Sequence, residues 1–261
     1  MTFSLLTYNV LYNKAFTQLE NILSEHQPDI VCLQEVETSE RNLTRLYKFG
    51  YTLADYSNSF IKVGKIYGIA TYFNSHRLKL VQSDSYILPR SLYEMFSAII
   101  RMLRRKDKPR TILRTDFKLE KSSKTVAIYN VHLTLFGINR TRTKQLEIIL
   151  NHGLKDLKLP VVITGDFNYF PYRRKRLEKL MSLHGFKEAT RNINYSVRFP
   201  DRKFAKYSWF QEFFVFFIRK YFNNKLKPDY TFFKNLKVNK TERIDVQFSD
   251  HYPIICNFEL V

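Results

Sequence analysis

Polar side chains stand where apolar runs stop: Asn9 in LLTYNV, Gln34 and Glu35 in IVCLQEV, Asn130 and His132 in AIYNVHL, Asp166 and Asn168 in VVITGDFN, and Ser249, Asp250 and His251 in FSDHYPI. Singly, each has an ordinary explanation. An Asn or Glu ending a strand is more often a turn or cap residue than a ligand, and a single His in such a run is more often a satisfied core histidine. Jointly they have a chemical meaning, provided the strand ends gather at one rim of a sheet. Glu35 and Asp250 are hard oxygen donors suited to Mg²⁺ or Mn²⁺, and the amide oxygen of Asn9 can complete or orient the inner sphere. A cation so held neutralises a nonbridging phosphate oxygen and the charge developing on a leaving group. Asp166 and Asn168 project from one local turn, so one can orient or deprotonate a water while the other donates to phosphate. His132 and His251 titrate near neutrality and can stabilise a phosphorane or protonate a leaving oxygen. Asp250 then reads as the residue that holds or tunes the partner of His251, with YPIICNFEL as the rigid anchor of both.

The elements that must position these residues are legible as alternation and periodicity. Apolar, β-branched and aromatic runs give about ten strand candidates, among them FSLLTYNVL, PDIVCLQEV, YGIATYF, RTILRTDFKL, TVAIYNVHL, LPVVITGDFN, DYTFF, ERIDVQF and YPIICNFEL. Helical periodicity appears between several of them. In KAFTQLENILSEHQ, Phe16, Leu19, Ile22 and Leu23 share a face ahead of Pro28. RTKQLEIILNHGLKDL places Leu146, Ile149, Leu150, Gly153 and Leu154 at comparable spacing, and RRKRLEKLMSLHG ends at Gly185. Strands flanking helices, with meander-like pairs elsewhere, predict mixed sheets packed face to face with helices outside. Two amphipathic segments, 91–110 and 207–227, interrupt this rhythm as inserts. They read as core-facing or lid helices, as a stacking surface beside phosphate-binding lysines, or as elements that touch a membrane interface.

At 261 residues with no linker-like stretch, the chain fits one domain over 1–261. Its 44% hydrophobic and 16% aromatic content can build a substantial core, which argues against disorder. Lys and Arg number 43 against 24 Asp and Glu, a formal charge of +19. Such an excess favours polyanionic partners, nucleic acid or an anionic membrane surface, unless it is simply a solvated lysine-rich exterior. Cys32 and Cys256 lie in apolar runs and read as buried hydrophobes, not as a disulfide framework. The N-terminus lacks the basic and small-residue marks of a secretion signal, and no run reaches a membrane span, so a cytoplasmic monomer is expected.

Taken together and in order, TYNV, LQEV, YGIATYF, NVHL followed by Arg142, Gln145 and Leu146, then GDFN, DYTFF and SDHYP resemble the endonuclease/exonuclease/phosphatase superfamily. These are the metal-dependent phosphodiesterases related to DNase I, exonuclease III, neutral sphingomyelinases, deadenylases and tyrosyl-DNA phosphodiesterase of the second type. The resemblance runs over nearly the whole chain. It implies a four-layer α/β sandwich, DNase I-like, with Glu35 as the main metal ligand and Asn9 beside it. It further implies that Asp166 and Asn168 activate water and bind phosphate, that Asp250 and His251 complete the site, and that Asp229 in DYTFF supports catalysis. Pro228 stands before Asp229 where the family has an apolar residue. Asn130 and His132 resemble the DNase I, sphingomyelinase and tyrosyl-DNA phosphodiesterase branches more than the apurinic endonucleases. Asn130, Arg142 and Asn168 are accordingly expected to contact the substrate. Three functions compete: a Mg²⁺-dependent phosphodiesterase of nucleic acid, a sphingomyelinase-like phospholipid phosphodiesterase, and a catalytically silent binding module that keeps the fold. Intact Glu35, Asp166, Asn168, Asp250 and His251 argue against the last.

Overall fold

The apolar runs assemble into two mixed six-stranded sheets in a computed structural model that describes residues 1–88, 111–120, 124–135, 138–153, 159–198, 225–246 and 248–261. One sheet holds β1 (Thr2–Asn9), β2 (Ile30–Glu37), β3 (Tyr51–Lys62), β4 (Lys65–Asn74), β11 (Leu236–Arg243) and β12 (Ile254–Leu260). Its order is β11-β12-β1-β2-β4-β3. The other holds β5 (Leu78–Ile87), β6 (Thr111–Leu119), β7 (Thr125–His132), β8 (Val161–Asp166), β9 (Lys187–Glu188) and β10 (Asp229–Lys234), in the order β5-β6-β7-β8-β10-β9. Each sheet has one parallel pair at its centre, β1 with β2 and β7 with β8, and antiparallel neighbours outside it.

Successive strand residues point to opposite faces, and the packing follows from that. Leu5, Cys32, Ile128, Val162, Ile254 and Cys256 fill the space between the sheets. On the outer face of the first sheet Leu6, Tyr8, Val31 and Leu33 meet Phe16, Leu19, Ile22 and Leu23 of α1 (Phe16–His26). On the outer face of the second, Tyr129, Val131 and Ile163 meet Leu146 of α3 (Asn139–Ile148) and Leu177 and Met181 of α4 (Arg174–Leu183). A short helix, α2 (Glu40–Leu43), follows β2. The result is the expected four-layer sandwich. Each fully buried Leu or Phe removes apolar surface worth about 1.5–3 kcal/mol.

Three sequence expectations are revised. The second helix stops being α-helical at Ile148 and continues as a π turn over Ile149–Gly153, while Leu154 lies outside the described residues. ERIDVQF is not a strand of its own. β11 ends at Arg243, after which the Ile244 amide bonds the Pro253 carbonyl and the Val246 amide turns back to Ile244. A strand that the sequence pattern does not announce, β3, occupies the sheet edge. The inserts at 91–110 and 207–227 lie outside the described residues, except for 225–227. No helix among the described residues is long and apolar enough to cross a membrane.

The close approach of β7 and β8 depends on Gly165, whose φ is +133°. A Cβ there would stand 2.1 Å from the Val131 carbonyl oxygen, a position only glycine fills without strain. Gly165→Ala is expected to cost about 2–4 kcal/mol, measured as a lower urea midpoint at unchanged slope.

Candidate active site

Parallel strands end, and antiparallel strands begin, at one rim of the sandwich, and this topology gathers the polar residues. Across the second sheet His132 pairs with Asp166, and Asp166 pairs with Asp229, which places an imidazole and two carboxylates in one cross-strand row. Asn9 closes β1 on the facing sheet, and its Nδ2 donates to Asp166 Oδ2 at 3.1 Å. Its own Oδ1 accepts from the Leu11 amide at 3.1 Å. Glu35 arrives by a different device. The β2–β4 register slips between Gln34 and Val36, so Glu35 is the extra residue of a bulge and carries φ +59°. Bulges redirect a side chain, and here Glu35 Oε1 comes within 3.8 Å of His132 Nε2.

Asp166 is the hub. Besides the Asn9 amide, it accepts from the Asn168 backbone N–H at 2.8 Å, and its Oδ2 lies 3.6 Å from His132 Nε2 and 3.8 Å from His251 Nε2. Burial pushes its pKa up, partly offset by the positive charge that His251 supplies. Asn168, itself at φ +49°, donates its Nδ2 to the Leu133 carbonyl at 3.1 Å. On the other side, His251 Nδ1 lies 2.8 and 3.0 Å from the two oxygens of Asp229. Burial alone would lower the His251 pKa, but the flanking Asp229 and Asp166 carboxylates outweigh it and raise it well above the ordinary value. An imidazolium held between two carboxylates is suited to donate protons or stabilise anionic charge, not to accept a proton.

The structure corrects the part assigned to Asp250. The carboxylate on His251 is Asp229, whereas Asp250 Oδ1 accepts from Ser249 Oγ at 3.2 Å. The single Ser249 hydroxyl proton is shared with the Asn9 carbonyl, the closer acceptor at 2.8 Å, and the oxygen accepts from the His251 amide at 3.2 Å, which ties the SDH segment to the end of β1. Two expected substrate contacts lie elsewhere. Asn130 is fully buried between the sheets, where its Oδ1 accepts from Gln34 Nε2 at 2.8 Å and its Nδ2 donates to the Leu33 and Ala70 carbonyls. Arg142 is equally buried, donating to the Thr134 and Leu135 carbonyls at 2.9 and 2.8 Å and to Asn139 Oδ1. Neither side chain faces the rim; both shape the backbone behind it.

Other residues were not singled out by the sequence. Ser196 donates to Asp229 Oδ2 at 2.6 Å and accepts from the Asp229 amide at 3.2 Å. An isolated β-bridge between Val197 and His251 closes the same corner. Ser196 acts through Asp229, so it is a positioning residue, and nothing in YSVRF distinguishes it from a surface serine. Ser196→Ala is expected to lower kcat about tenfold at nearly constant KM, with Ser196→Thr restoring most of the loss; steady-state kinetics on a small phosphoester checks it. At the opposite edge, Tyr12, Phe60 and Tyr67 form an aromatic wall. Phe60 meets the His132 ring edge-on at 6.2 Å, and the Lys62 ammonium sits 3.3 Å above the Tyr12 ring. Burial lowers the Lys62 pKa against the pull of Glu35 and Asp250, so Lys62 shares their field. The V-G pair at the β3–β4 turn was the available sequence signal.

Glu35, Asn9 and Asp250 carry oxygen donors of the type that hard divalent cations take, and the bulge turns Glu35 toward His132 on the rim. Asp166, Asp229 and His251 also bring ligand atoms within 4.8 Å of one another. The Nδ1 of His251 and both Asp229 oxygens are engaged with each other, however, and Asp229 also accepts from Ser196. That trio is therefore better read as a proton-holding chain than as a metal centre.

The profile of the Endonuclease/Exonuclease/phosphatase family matches residues 6–251. The chain belongs to this family. Members of the endonuclease/exonuclease/phosphatase family are phosphoester hydrolases and generally use a divalent metal. Among solved structures, the catalytic domain of human Nocturnin superposes with a TM-score of 0.69 at 18% identity, over 100% of this chain and 94% of that one. D. rerio TDP2, in complex with a single-strand DNA product, gives 0.69 at 15% over 99% of both chains. A mannosyl-6-phosphatase of Bacteroides thetaiotaomicron gives 0.66 at 16%, again over 99% of both. At these identities the likeness concerns the fold. A UPF0294 protein of Vibrio cholerae is 25% identical over 153 residues, 59% of this chain, and the match spans 46% of that protein.

Proposed function

We propose that the protein is a divalent-metal-dependent phosphodiesterase that hydrolyses nucleic acid. The observation that carries the reading is Asp166, buried and set between His132 and His251 at 3.6 and 3.8 Å, on the rim that also carries Glu35 and Asn9. In this reading Glu35, with Asn9 and Asp250, holds Mg²⁺ or Mn²⁺, which supplies Lewis-acid neutralisation of phosphate charge when bound. Asp166 orients the attacking water and takes its proton. The Asn9 amide and the Asn168 N–H fix the rotamer of Asp166 so that one carboxylate lone pair is directed at that water. The His251 imidazolium, locked by Asp229 through Nδ1, presents its Nε2–H to the phosphoryl oxygens as negative charge builds in the transition state. His132 supports the same charge from the Glu35 side.

The assignment of nucleic acid as substrate rests on the +19 formal charge, since Lys and Arg contacts to phosphate drive sequence-independent binding. The single-strand DNA product held by TDP2 on the same fold also supports it. A second reading, hydrolysis of a phospholipid headgroup, is favoured by one observation: Leu135 and Ile138, three and six residues after His132, are 50% and 61% exposed.

Both readings are tested by one panel, in Mg²⁺ and in EDTA: single-stranded, duplex, abasic and 5′-tyrosyl DNA, RNA, and sphingomyelin vesicles. EDTA-sensitive cleavage of a nucleic acid is the expected result. Turnover of lipid alone would transfer the site to the second reading, and no turnover anywhere would return the chain to the binding modules.

A further inference from the structure

Beside the catalytic rim, on the side of GDFN and α3, lies a recess of about 710 Å³ whose lining includes Arg140, Arg173, Arg176, Tyr169 and Tyr172 and contains no acidic residue among those described. The Tyr172 side of the recess is backed by a built structure. The Phe170 and Tyr172 rings stack at 5.9 Å with 10° between their planes, and the Arg142 guanidinium lies 4.5 Å from the Phe170 ring centre. Asn139, nearly fully buried, staples the loop that carries both rings: it accepts from the Phe170 amide and donates to the Phe170 and Tyr172 carbonyls at 3.2 and 2.8 Å. Tyr172 nonetheless remains 50% exposed and Phe170 37%. The aromatic face is thus held in place, half open to solvent and rimmed by guanidiniums.

We propose that this recess binds an unpaired nucleic-acid strand on one side of the scissile phosphate, with a base stacked on Tyr172 and phosphates on Arg140, Arg173 and Arg176. The proposal rests on the nucleic-acid reading above and names where the strand lies. Aromatic platforms beside cationic grooves recognise single strands because every base has a π face, which in a duplex is covered by its neighbours. Tyr172 is six residues from Asp166, so the platform stands within about 20 Å of the hub, a reach of a few nucleotides. Three cations line the recess beside one exposed aliphatic side chain, Ile138, a balance that suits a flexible polyanion better than a lipid leaflet, which takes a broad apolar face.

The test uses the full chain in EDTA and a fluorescent oligothymidylate of about twelve nucleotides, long enough to fill such a groove, read by anisotropy as a function of salt. Tyr172→Ala is expected to weaken binding about tenfold. The paired change Arg173→Glu with Arg176→Glu is expected to flatten the slope of log K against log salt by about 0.7 for each phosphate no longer neutralised. Arg140→Gln, on a different helix, should flatten it by a similar single step. In Mg²⁺, the ratio of kcat/KM for the oligonucleotide to that for bis(p-nitrophenyl) phosphate should fall with the same variants, because the small diester does not reach the recess. Unchanged oligonucleotide affinity and salt slope in all three variants, or a wild type that does not bind the strand, would overturn the proposal. So would variants that weaken binding only to phosphatidylcholine vesicles containing phosphatidylserine. Binding that depends on these residues in a protein that hydrolyses no phosphoester would uphold the groove and remove the catalytic reading.

Discussion

Asp166→Asn is expected to reduce kcat/KM for a small phosphodiester by about 10⁴-fold or more, roughly 5.5 kcal/mol of transition-state stabilisation, while the protein stays folded with a melting temperature lower by only several degrees. The geometry makes this the most damaging conservative change at the site. Asp166 accepts simultaneously from the Asn9 amide and the Asn168 N–H, so both oxygens are specified as acceptors. An asparagine must turn its NH₂ toward one of those donors, and a donor facing a donor leaves both unsatisfied in a buried position. The substitution also removes the negative charge that faces Nε2 of both His132 and His251, and with it the proton acceptor assigned to the attacking water. A structural role alone would predict a loss of stability without this collapse in rate. Single-turnover hydrolysis alongside thermal unfolding separates the two, and near-normal turnover would remove Asp166 from the chemistry.

The sequence conveyed the layers of this fold because each strand of the central pairs is an apolar run closed by a polar residue, and α1 and α4, two of the three helices that cover the sheets, carry clean apolar stripes. What it did not convey was the edge. Tyr51–Lys62 is rich in Ser, Asn and Asp and mostly half-buried or exposed, so it lacks the alternation that marked its neighbours. ERIDVQF failed for the opposite reason. Ile244 and Val246 pack against the first sheet's outer core and so are apolar, yet the chain there turns instead of pairing.

At the site, identity and depth separate. Asn130 and His132 are two apart on β7 and so point to the same face. His132 ends the strand at the rim, whereas Asn130 lies one pleat deeper, where its partners are Gln34 and backbone carbonyls of the facing sheet. Spacing fixes the face of a strand residue but not its distance from solvent. Arg142 shows the same limit on a helix, since its position after NVHL placed it near the site while its guanidinium went to the loop carbonyls. Asp229 was legible as a supporting residue. Its pairing with His251, in preference to the sequence-adjacent Asp250, follows from the antiparallel pairing of β10 with β8, which the sequence does not specify.

Glu35→Gln is the second change expected to have a large effect, and its readout need not be activity. If Glu35 is the main anionic ligand of a divalent cation, millimolar Mg²⁺ or Mn²⁺ should raise the melting temperature of the wild type, because a ligand that binds only the folded state stabilises it by RT ln(1 + [L]/Kd). A hundredfold excess over Kd gives about 2.7 kcal/mol. Glutamine keeps the volume and one carbonyl oxygen but removes the charge, so the stabilisation should largely vanish, while kcat falls about 10³-fold. The variant without metal should lie within about 1 kcal/mol of the wild type. Glu35 occupies a bulge at φ +59°, a conformation that costs about 1–3 kcal/mol and that glutamine inherits. Its charge also faces the His132 ring at 3.8 Å and the Lys62 ammonium, and glutamine loses that attraction. Asp250→Asn tests the remaining ligand in the same titration and should weaken the metal-induced shift without disturbing the Asp229–His251 contact. Equal metal-induced stabilisation of wild type and Glu35→Gln would move the cation to another part of the rim, and the first alternative would be the cluster of Asp166, Asp229 and His251. In that case the metal would have to displace the hydrogen bond between Asp229 and His251 Nδ1, and Ser196→Ala, which loosens Asp229, would change metal affinity instead of kcat alone.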